Sequence, residues 1–313
     1  IKRSDVLIYN VRPQAMARLG LSYEEVSALN SKIIYLGAYG YSEKGPRAGK
    51  AAYDDLIQGG TGVPWLVSKG GKETPRYVPL NFADRVTGLH AVYAVTSALY
   101  QREKSGRGQS IEIPMFETIS HFVLGDHMAG LSFNPPIGPS GYERLKHRRV
   151  YETKNGFICA LVYNEAQWTR FWSAMNQPEM MKDPKFISHP ARAENIGEIY
   201  DLLSEIIKKD TTDHWLMFFE SVDVPVARMN AVDDLMSDEH LRETGFFIDE
   251  EHPTEGSLYA TKTPSNWSHS TPDRVTPAPT LGQHTREVLR ELSYDEAEID
   301  ALMQSHAVSD GSS

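Results

Sequence analysis

Residues 5–36 read DVLIYNVRPQAMARLGLSYEEVSALNSKIIYL. Val6-Leu7-Ile8-Tyr9 is a short, unbroken apolar run, the pattern of a strand buried in a parallel sheet. Ser22-Tyr23-Glu24-Glu25 has capping-box spacing, in which the two side chains satisfy each other's backbone N–H, and it opens a helix through Leu29. Ile33-Ile34-Tyr35-Leu36 is the next strand, ended near Gly40. Downstream the alternation continues. The turn-rich Gly45-Pro46-Arg47-Ala48-Gly49 precedes a helix from Tyr53 to Gln58. Asp84 caps a long helix whose apolar positions Val86, Leu89, Val92, Tyr93, Thr96, Leu99 and Tyr100 recur at helical spacing. Lys104-Ser105-Gly106-Arg107-Gly108-Gln109 is a turn into a strand at Ser110-Ile111-Glu112-Ile113, and a helix follows from Met115 to Gly130. Strands alternating with helices through right-handed crossovers predict a Rossmann-like α/β domain over residues 1–130.

Residues 131–149 contain Asn134-Pro135-Pro136, Gly138-Pro139-Ser140-Gly141 and Lys146-His147-Arg148-Arg149, and read as a linker carrying a functional loop. A second unit begins at Tyr151, where Lys154-Asn155-Gly156 between two alternating apolar runs signals a hairpin. Helices at 165–175, 193–208 and 213–221 and strands at Phe246-Phe247-Ile248 and Ser257-Leu258-Tyr259-Ala260 make it a small α+β domain, bounded at 151–255. Residues 256–313 hold an extended Pro/Ser/Thr-rich connector, Pro264 to Pro279, and two helices, Thr285–Leu292 and Ser293–Met303. The second helix carries a capping box at Ser293-Tyr294-Asp295-Glu296, and the tail after Val308 is expected to fray. There is no internal repeat.

The 313 residues exceed one ordinary domain and supply ample core. Lys+Arg number 32 against Asp+Glu 42, a net charge of -10, which argues against a nucleic-acid binder or a protein held on an anionic membrane. A local basic pocket for a small anion is compatible with that balance. The single cysteine, Cys159, excludes an internal disulfide and any thiolate metal cluster, and fits a reducing compartment. No apolar run is long enough to span a bilayer, and the start of the chain is too short and polar for a signal peptide, so a cytoplasmic location is expected. Opening on Ile1, just before an apolar strand, the chain reads as a fragment of a longer protein.

Common catalytic signatures are absent: no Walker A loop, no His-Glu-x-x-His, no Gly-x-Ser-x-Gly. Gly59-Gly60-Thr61-Gly62 follows a helix and reads as a helix stop, and His90 as a packed or surface residue. Asp84 at a helix N-terminus has two readings. It is an N-cap, where backbone N–H groups and the dipole favour a carboxylate, or it is a nucleophile that the same dipole keeps ionised. The residue alone does not choose. Arg18 is likewise either a solvated arginine or a phosphate ligand, and Tyr53 either core packing or part of a site.

An ordered series of segments does choose. Asp5-Val6-Leu7-Ile8-Tyr9-Asn10-Val11-Arg12-Pro13 with Arg18-Leu19-Gly20-Leu21-Ser22-Tyr23, then Gly45-Pro46 with Gly49-Lys50-Ala51-Ala52-Tyr53-Asp54, Ala83-Asp84-Arg85-Val86-Thr87-Gly88 and Arg102-Glu103-Lys104-Ser105-Gly106-Arg107-Gly108-Gln109, resembles the family III CoA-transferases, the CaiB/BaiF group that includes formyl-CoA transferases. Tyr151 to Gly156, Asp183-Pro184-Lys185-Phe186 and Leu281-Gly282-Gln283-His284-Thr285 extend the likeness to about Leu302.

The resemblance implies a Rossmann-like large domain with an inserted smaller domain, a C-terminal segment returning to the large domain, and two ring-like subunits interlocked as a homodimer. It also implies further sequence upstream, about a quarter of the family's length. Asp84 falls on the family's nucleophile, which forms an acyl-aspartyl anhydride and then an aspartyl-CoA thioester. Neither a metal nor a permanent cofactor is implied; coenzyme A, as acyl-CoA, and a small carboxylic acid are the substrates. By position Asn10, Val11, Ala15, Arg18 and Leu19 line the nucleotide pocket, and Tyr53 and Asp54 lie near the thiol and Asp84. First-turn N–H groups beside Asp84 are expected to stabilise an oxyanion. A shielding loop corresponds to Ile137–Gly141, with Gly138 and Gly141 its only glycines. Racemases of the same superfamily carry a His where this chain reads Ala48-Gly49-Lys50-Ala51-Ala52-Tyr53-Asp54, and proton transfer at an α-carbon needs an acid and a base. Transferase is therefore favoured over an acyl-CoA racemase or epimerase, with a non-catalytic CoA-binding protein as the alternative from another class.

Overall fold

A computed structural model describes residues 1–270 and 276–311, and its contacts divide the chain into two compact units, Ile1–Ala227 and Arg228–Ser313. The apolar runs of the first unit become β1 (Val6–Tyr9), β2 (Ile34–Tyr39) and β3 (Gln109–Pro114). They lie in that order, all parallel, with Val6 opposite Ile34 and Ile34 opposite Gln109. Parallel neighbours need long connections. Helices α1 (Pro13–Arg18) and α2 (Tyr23–Leu29) link β1 to β2. Helices α3 (Asp54–Gly60), α4 (Val63–Val67) and α5 (Phe82–Ser105) link β2 to β3. The Ser22–Glu25 capping box forms as expected. In the central strand Ile34 and Leu36 are fully buried, which is why its run is apolar throughout.

Two glycines account for the turn between α5 and β3. Gly106 ends α5 at φ 71°, the left-handed cap that a side chain disfavours. Gly108 runs so close to the start of β2 that a Cβ there would lie 1.9 Å from the Ile33 carbonyl oxygen. Helix α6 (Met115–His127) follows β3 directly and ends before the expected Gly130, giving way to a 3-10 turn at Ala129–Ser132. Ile57, Val63, Ala83, Met115 and Ile119 form the core that binds α3, α4, α5 and α6 together.

Helix α5 departs from expectation in two ways. It starts at Phe82 with Asn81 as N-cap, so Asp84 is the third residue of the first turn and not the cap. The stripe at Leu89, Val92, Tyr93 and Tyr100 is exposed within the chain, and the buried face is instead the small-residue one of Ala83, Thr87, Ala91 and Ala98.

Within the same unit a second core builds on the hairpin of β4 (Tyr151–Thr153) and β5 (Gly156–Ala160), where Thr153 pairs with Gly156 across Lys154-Asn155. The short α7 (Tyr142–Leu145) precedes it in the 131–149 stretch. Helices α8 (Glu165–Ala174), α9 (His189–Glu194), α10 (Ile196–Ile207) and α11 (Thr212–Ser221) follow, then β6 (Val226–Arg228), giving strand order β4-β5-β6. The helix expected over 193–208 is thus two helices meeting at Asn195, which ends one and begins the other. Trp168, Phe171, Trp172, Phe186, Trp215 and Phe219 fill this core.

The second unit holds α12 (Glu239–Glu243), an antiparallel ribbon of β7 (Phe247–His252) and β8 (Gly256–Thr261), α13 (Thr285–Glu291) and α14 (Glu296–Gln304). The division expected between residues 255 and 256 falls in the turn of this ribbon, where His252 pairs with Gly256. Helix α14 is capped by Asp295 boxed with Glu298, not by Ser293, which sits at φ 70° after α13. Beyond Val308, Asp310 pairs with Arg286 at 3.3 Å, and Ser309 and Gly311 pack on Gly282. Of the Pro264–Pro279 connector, residues 271–275 lie outside the described residues, as do 312–313. The fold is mixed α/β with parallel and antiparallel sheets. Among the described residues no helix is long and apolar enough to cross a membrane.

Candidate active site

Asp84 is exposed on the first turn of α5. Its carboxylate takes part in no hydrogen bond or ion pair among the described residues, which leaves both oxygens uncommitted. Partial loss of water around it, and then the negative charge of Asp54, raise its pKa above the usual aspartate value. The expected effect of the helix dipole is therefore outweighed, because no backbone N–H donates to this carboxylate. A carboxylate held this way is more basic than one satisfied by a cap, and more nucleophilic toward a carbonyl.

The expected oxyanion donors are not available. Of the first-turn N–H groups, Phe82 donates to Leu80 O (2.7 Å) and Arg85 to Asn81 O (3.0 Å). The N–H of Asp84 itself donates to Asp54 Oδ1 at 3.0 Å. Ala83 carries the one that remains, and Ala83 is fully buried.

Asp54 opens α3, and its second oxygen, Oδ2, accepts from Gln58 Nε2 at 2.6 Å. Gln58 is fully buried. Its amide also donates to the carbonyls of Val78 and Leu80 (3.3 Å each) and accepts from the Val78 N–H (3.0 Å). The stretch that leads into α5 is thereby fastened to α3. Tyr53, the N-cap of α3, is 76% exposed, so its ring is not core packing.

The residues expected to hold the nucleotide follow β1. Asn10 and Val11 leave the C-terminal end of that strand, and Ala15, Arg18 and Leu19 lie on and just after α1. Asn10, Val11, Arg18 and Leu19 are exposed and Ala15 half-buried. Arg18 forms no ion pair among the described residues. The carboxyl ends of parallel strands are where open α/β sheets take ligands. Here α1 is joined to the loop 42–49 by hydrogen bonds. Gln14 donates to Glu43 (2.7 Å), Gly49 N–H to the same carboxylate (3.2 Å), and Arg12 to Gly49 O (3.3 Å).

Gly138 and Gly141 lie on a loop packed against the end of α6. Ile137 N–H donates to Gly130 O and Gly130 N–H to Pro139 O, folding the loop back on the end of α6. Gly141 packs so tightly there that a Cβ would lie 2.2 Å from Asp126 O.

Sequence reasoning missed Gln58 and Glu112. Gln58 lies four residues after Asp54 on one helix, a spacing visible in the sequence; its burial was not. Glu112 on β3 accepts from Tyr39 Oη (2.8 Å), Ser42 Oγ (2.9 Å) and Glu43 N–H (2.8 Å), anchoring the loop 42–49. Partial burial pulls its pKa up, but those bonds win and lower it below the usual glutamate value.

The chain is similar to known proteins in both sequence and fold. The model of "CoA-transferase family III" matches residues 1–285. The mouse succinyl-CoA:glutarate CoA-transferase is 27% identical over 308 residues, spanning 97% of this chain and 70% of the relative. The formyl-CoA:oxalate CoA-transferase of Escherichia coli O139:H28 is 27% identical over 336 residues, spanning 98% of this chain and 79% of the relative. The crystal structure of a CaiB/BaiF family protein from Brucella suis superposes with a TM-score of 0.76 at 27% identity, covering 93% of this chain and 76% of that one.

Proposed function

The chain belongs to CoA-transferase family III, and from that premise we propose that it moves coenzyme A from an acyl-CoA to a carboxylic acid with Asp84 as nucleophile. The observation that carries this is an accessible carboxylate, free of ion pairs among the described residues, on the first turn of a helix that is fixed from outside. An Asp84 oxygen attacks the thioester carbonyl; the C–S bond breaks and leaves an acyl-aspartyl anhydride and CoA thiolate. The thiolate attacks the aspartyl carbonyl, releasing the first acid as its carboxylate and leaving an aspartyl-CoA thioester. The acceptor carboxylate attacks that carbonyl and expels the thiolate. The thiolate then attacks the acceptor's acyl carbon and frees Asp84. One activated carboxyl is exchanged for another, so charge and protons balance without an energy source.

Asn10, Val11, Ala15, Arg18 and Leu19 line the CoA nucleotide pocket in this reading, Arg18 meeting phosphate as a charge-assisted donor. Tyr53 and Asp54 lie toward the thiol end. Gly138 and Gly141 belong to the loop that shields the anhydride from water. The relatives' names pair succinyl-CoA with glutarate and formyl-CoA with oxalate. Both acceptors are dicarboxylic acids, and we assign the acceptor to that class. The parallel sheet is part of a Rossmann-like large domain, a smaller domain is inserted, and two subunits interlock. The single cysteine, exposed Cys159, fits a reducing cytoplasm.

The test is Asp84→Ala with succinyl-CoA or formyl-CoA as donor and glutarate or oxalate as acceptor. Transfer is expected to be lost, and in the parent protein hydroxylamine is expected to displace the acyl carboxylate or CoA thiolate from the Asp84 adduct and leave an aspartyl hydroxamate at Asp84, read by peptide mass spectrometry. Transfer retained by Asp84→Ala rejects the reading.

A further inference from the structure

A helix normally satisfies its first-turn N–H groups with the side chain of its own N-cap, an oxygen accepting from the second or third residue. Helix α5 does not. Its N-cap, Asn81, makes no such bond. The N–H of the third residue, Asp84, is instead taken by the carboxylate of Asp54, thirty residues earlier and on another helix, at 3.0 Å. That carboxylate is not free to swing away, because its other oxygen is held by Gln58 at 2.6 Å. Gln58 is fully buried, and both ends of its amide are used on Asp54 and on the Val78–Leu80 stretch that enters α5. A buried amide with all its partners in place holds one rotamer; one with a partner removed is left with a costly orphan.

We propose that Asp54 and Gln58 are positioning residues for the nucleophile: Asp54 caps α5 from outside the helix at the residue that reacts, and Gln58 fixes both Asp54 and the entry to α5. The inference rests on Asp84 being the nucleophile. Its physical content is that the orientation of Asp84 is set across a helix–helix contact and not by its own helix. Displacements near 1 Å at a nucleophile cost on the order of 100-fold in rate, so a clamp of this kind acts on kcat and leaves acyl-CoA affinity alone. Among the charged and histidine groups on α5 (Arg85, His90, Arg102, Glu103 and Lys104) and on the elements packed on it (Asp54 and Asp55 of α3, Glu112 of β3, and Glu117, His121, Asp126 and His127 of α6), Asp54 is the one whose charge acts on Asp84, and it does so in the direction that raises the pKa.

The experiment compares Asp54→Asn, Asp54→Ala and Gln58→Leu with the parent and with Asp84→Ala. Rates are expressed per competent site, counted from hydroxylamine-trapped adduct, so that a partly unfolded variant is not scored as a slow one. Asp54→Ala and Gln58→Leu are expected to lose on the order of 10- to 100-fold in kcat with KM for acyl-CoA unchanged. Asp54→Asn removes the charge and keeps an acceptor for the Asp84 N–H, while its amide NH2 then faces the Gln58 Nε2 donor, so the Gln58 half of the clamp is lost. This variant is expected to lose less kcat and to move the acid limb of kcat/KM to lower pH, because the neighbouring charge that raised the Asp84 pKa is gone. A merely structural Asp54 lowers the number of competent sites and leaves that limb in place. Should Asp54→Ala and Gln58→Leu fold poorly, the near-isosteric Asp54→Asn decides. Unchanged kcat per site and an unmoved acid limb overturn the proposal, as does a rise in acyl-CoA KM with kcat kept, which assigns Asp54 to thioester binding. An active Asp84→Ala instead rejects the underlying reading, so the two failures are separate results.

Discussion

At the scale of single residues the site trades stability for reactivity. Asp84 has its pKa raised on folding, first by desolvation and then by Asp54. A carboxyl group with a raised folded pKa binds protons more readily in the native state, so it weakens the fold at pH above that folded pKa. The penalty shrinks as pH falls and vanishes below the usual aspartate value. Asp84→Asn is therefore expected to be inactive yet to melt at a higher temperature than the parent at neutral pH, the difference closing in acid. Thermal melts of the two proteins across pH 3 to 8 read this directly; an Asp84→Asn protein less stable at neutral pH contradicts it. The sequence exposed the chemistry-bearing residue but not its state. Whether the carboxylate of Asp84 is spent on capping depends on where Asn81 and Asp54 lie, and Asp54 is remote along the chain.

Among secondary-structure elements, the run Arg102 to Gln109 shows what a signature is physically for. Its two glycines do different work. At Gly106 the constraint is backbone conformation, φ 71°, and Gly106→Ala is expected to cost about 1 kcal/mol. At Gly108 the constraint is contact: a Cβ would sit 1.9 Å from Ile33 O and 2.5 Å from the Lys32 carbonyl carbon, both backbone atoms that cannot rotate aside. Gly108→Ala is expected to cost about 3 kcal/mol or more by forcing β2 and β3 apart. Chemical denaturation of both variants tests the ranking; equal losses refute it. Strand positions were legible because each is an unbroken apolar run, as in Val6–Tyr9 and Ile34–Leu36, although only the central strand is buried and Ile8 of β1 is 61% exposed. Helix ends were less so. Asn81 and Asp295 cap their helices where chain entry and packing decide, and each differs from the capping residue that local spacing selects.

For the molecule as a whole, the exposed stripe of α5, Leu89, Val92, Tyr93 and Tyr100, matters because helical periodicity marks these residues for burial. The interlocked-dimer reading is checked by light scattering: a particle of twice the chain mass at micromolar concentration is expected, and a monomer sets that reading aside. The net charge of -10 makes the approach of anionic CoA unfavourable at long range. In the proposed reading affinity comes from close contacts such as Arg18, where no ion pair among the described residues competes for the guanidinium.

The sequence by itself determined the parallel strands, the major helices and the family, and singled out Asp84 as the candidate nucleophile, because each is written in local periodicity or in ordered short segments. Tertiary structure alone decided that the carboxylate of Asp84 is not spent on capping, that Asp54 occupies its N–H, that a buried Gln58 joins the two helices, and that Gly138 and Gly141 fold onto α6. These are contacts between residues far apart in the chain, and a hydrogen bond across such a distance leaves no pattern in either segment read alone.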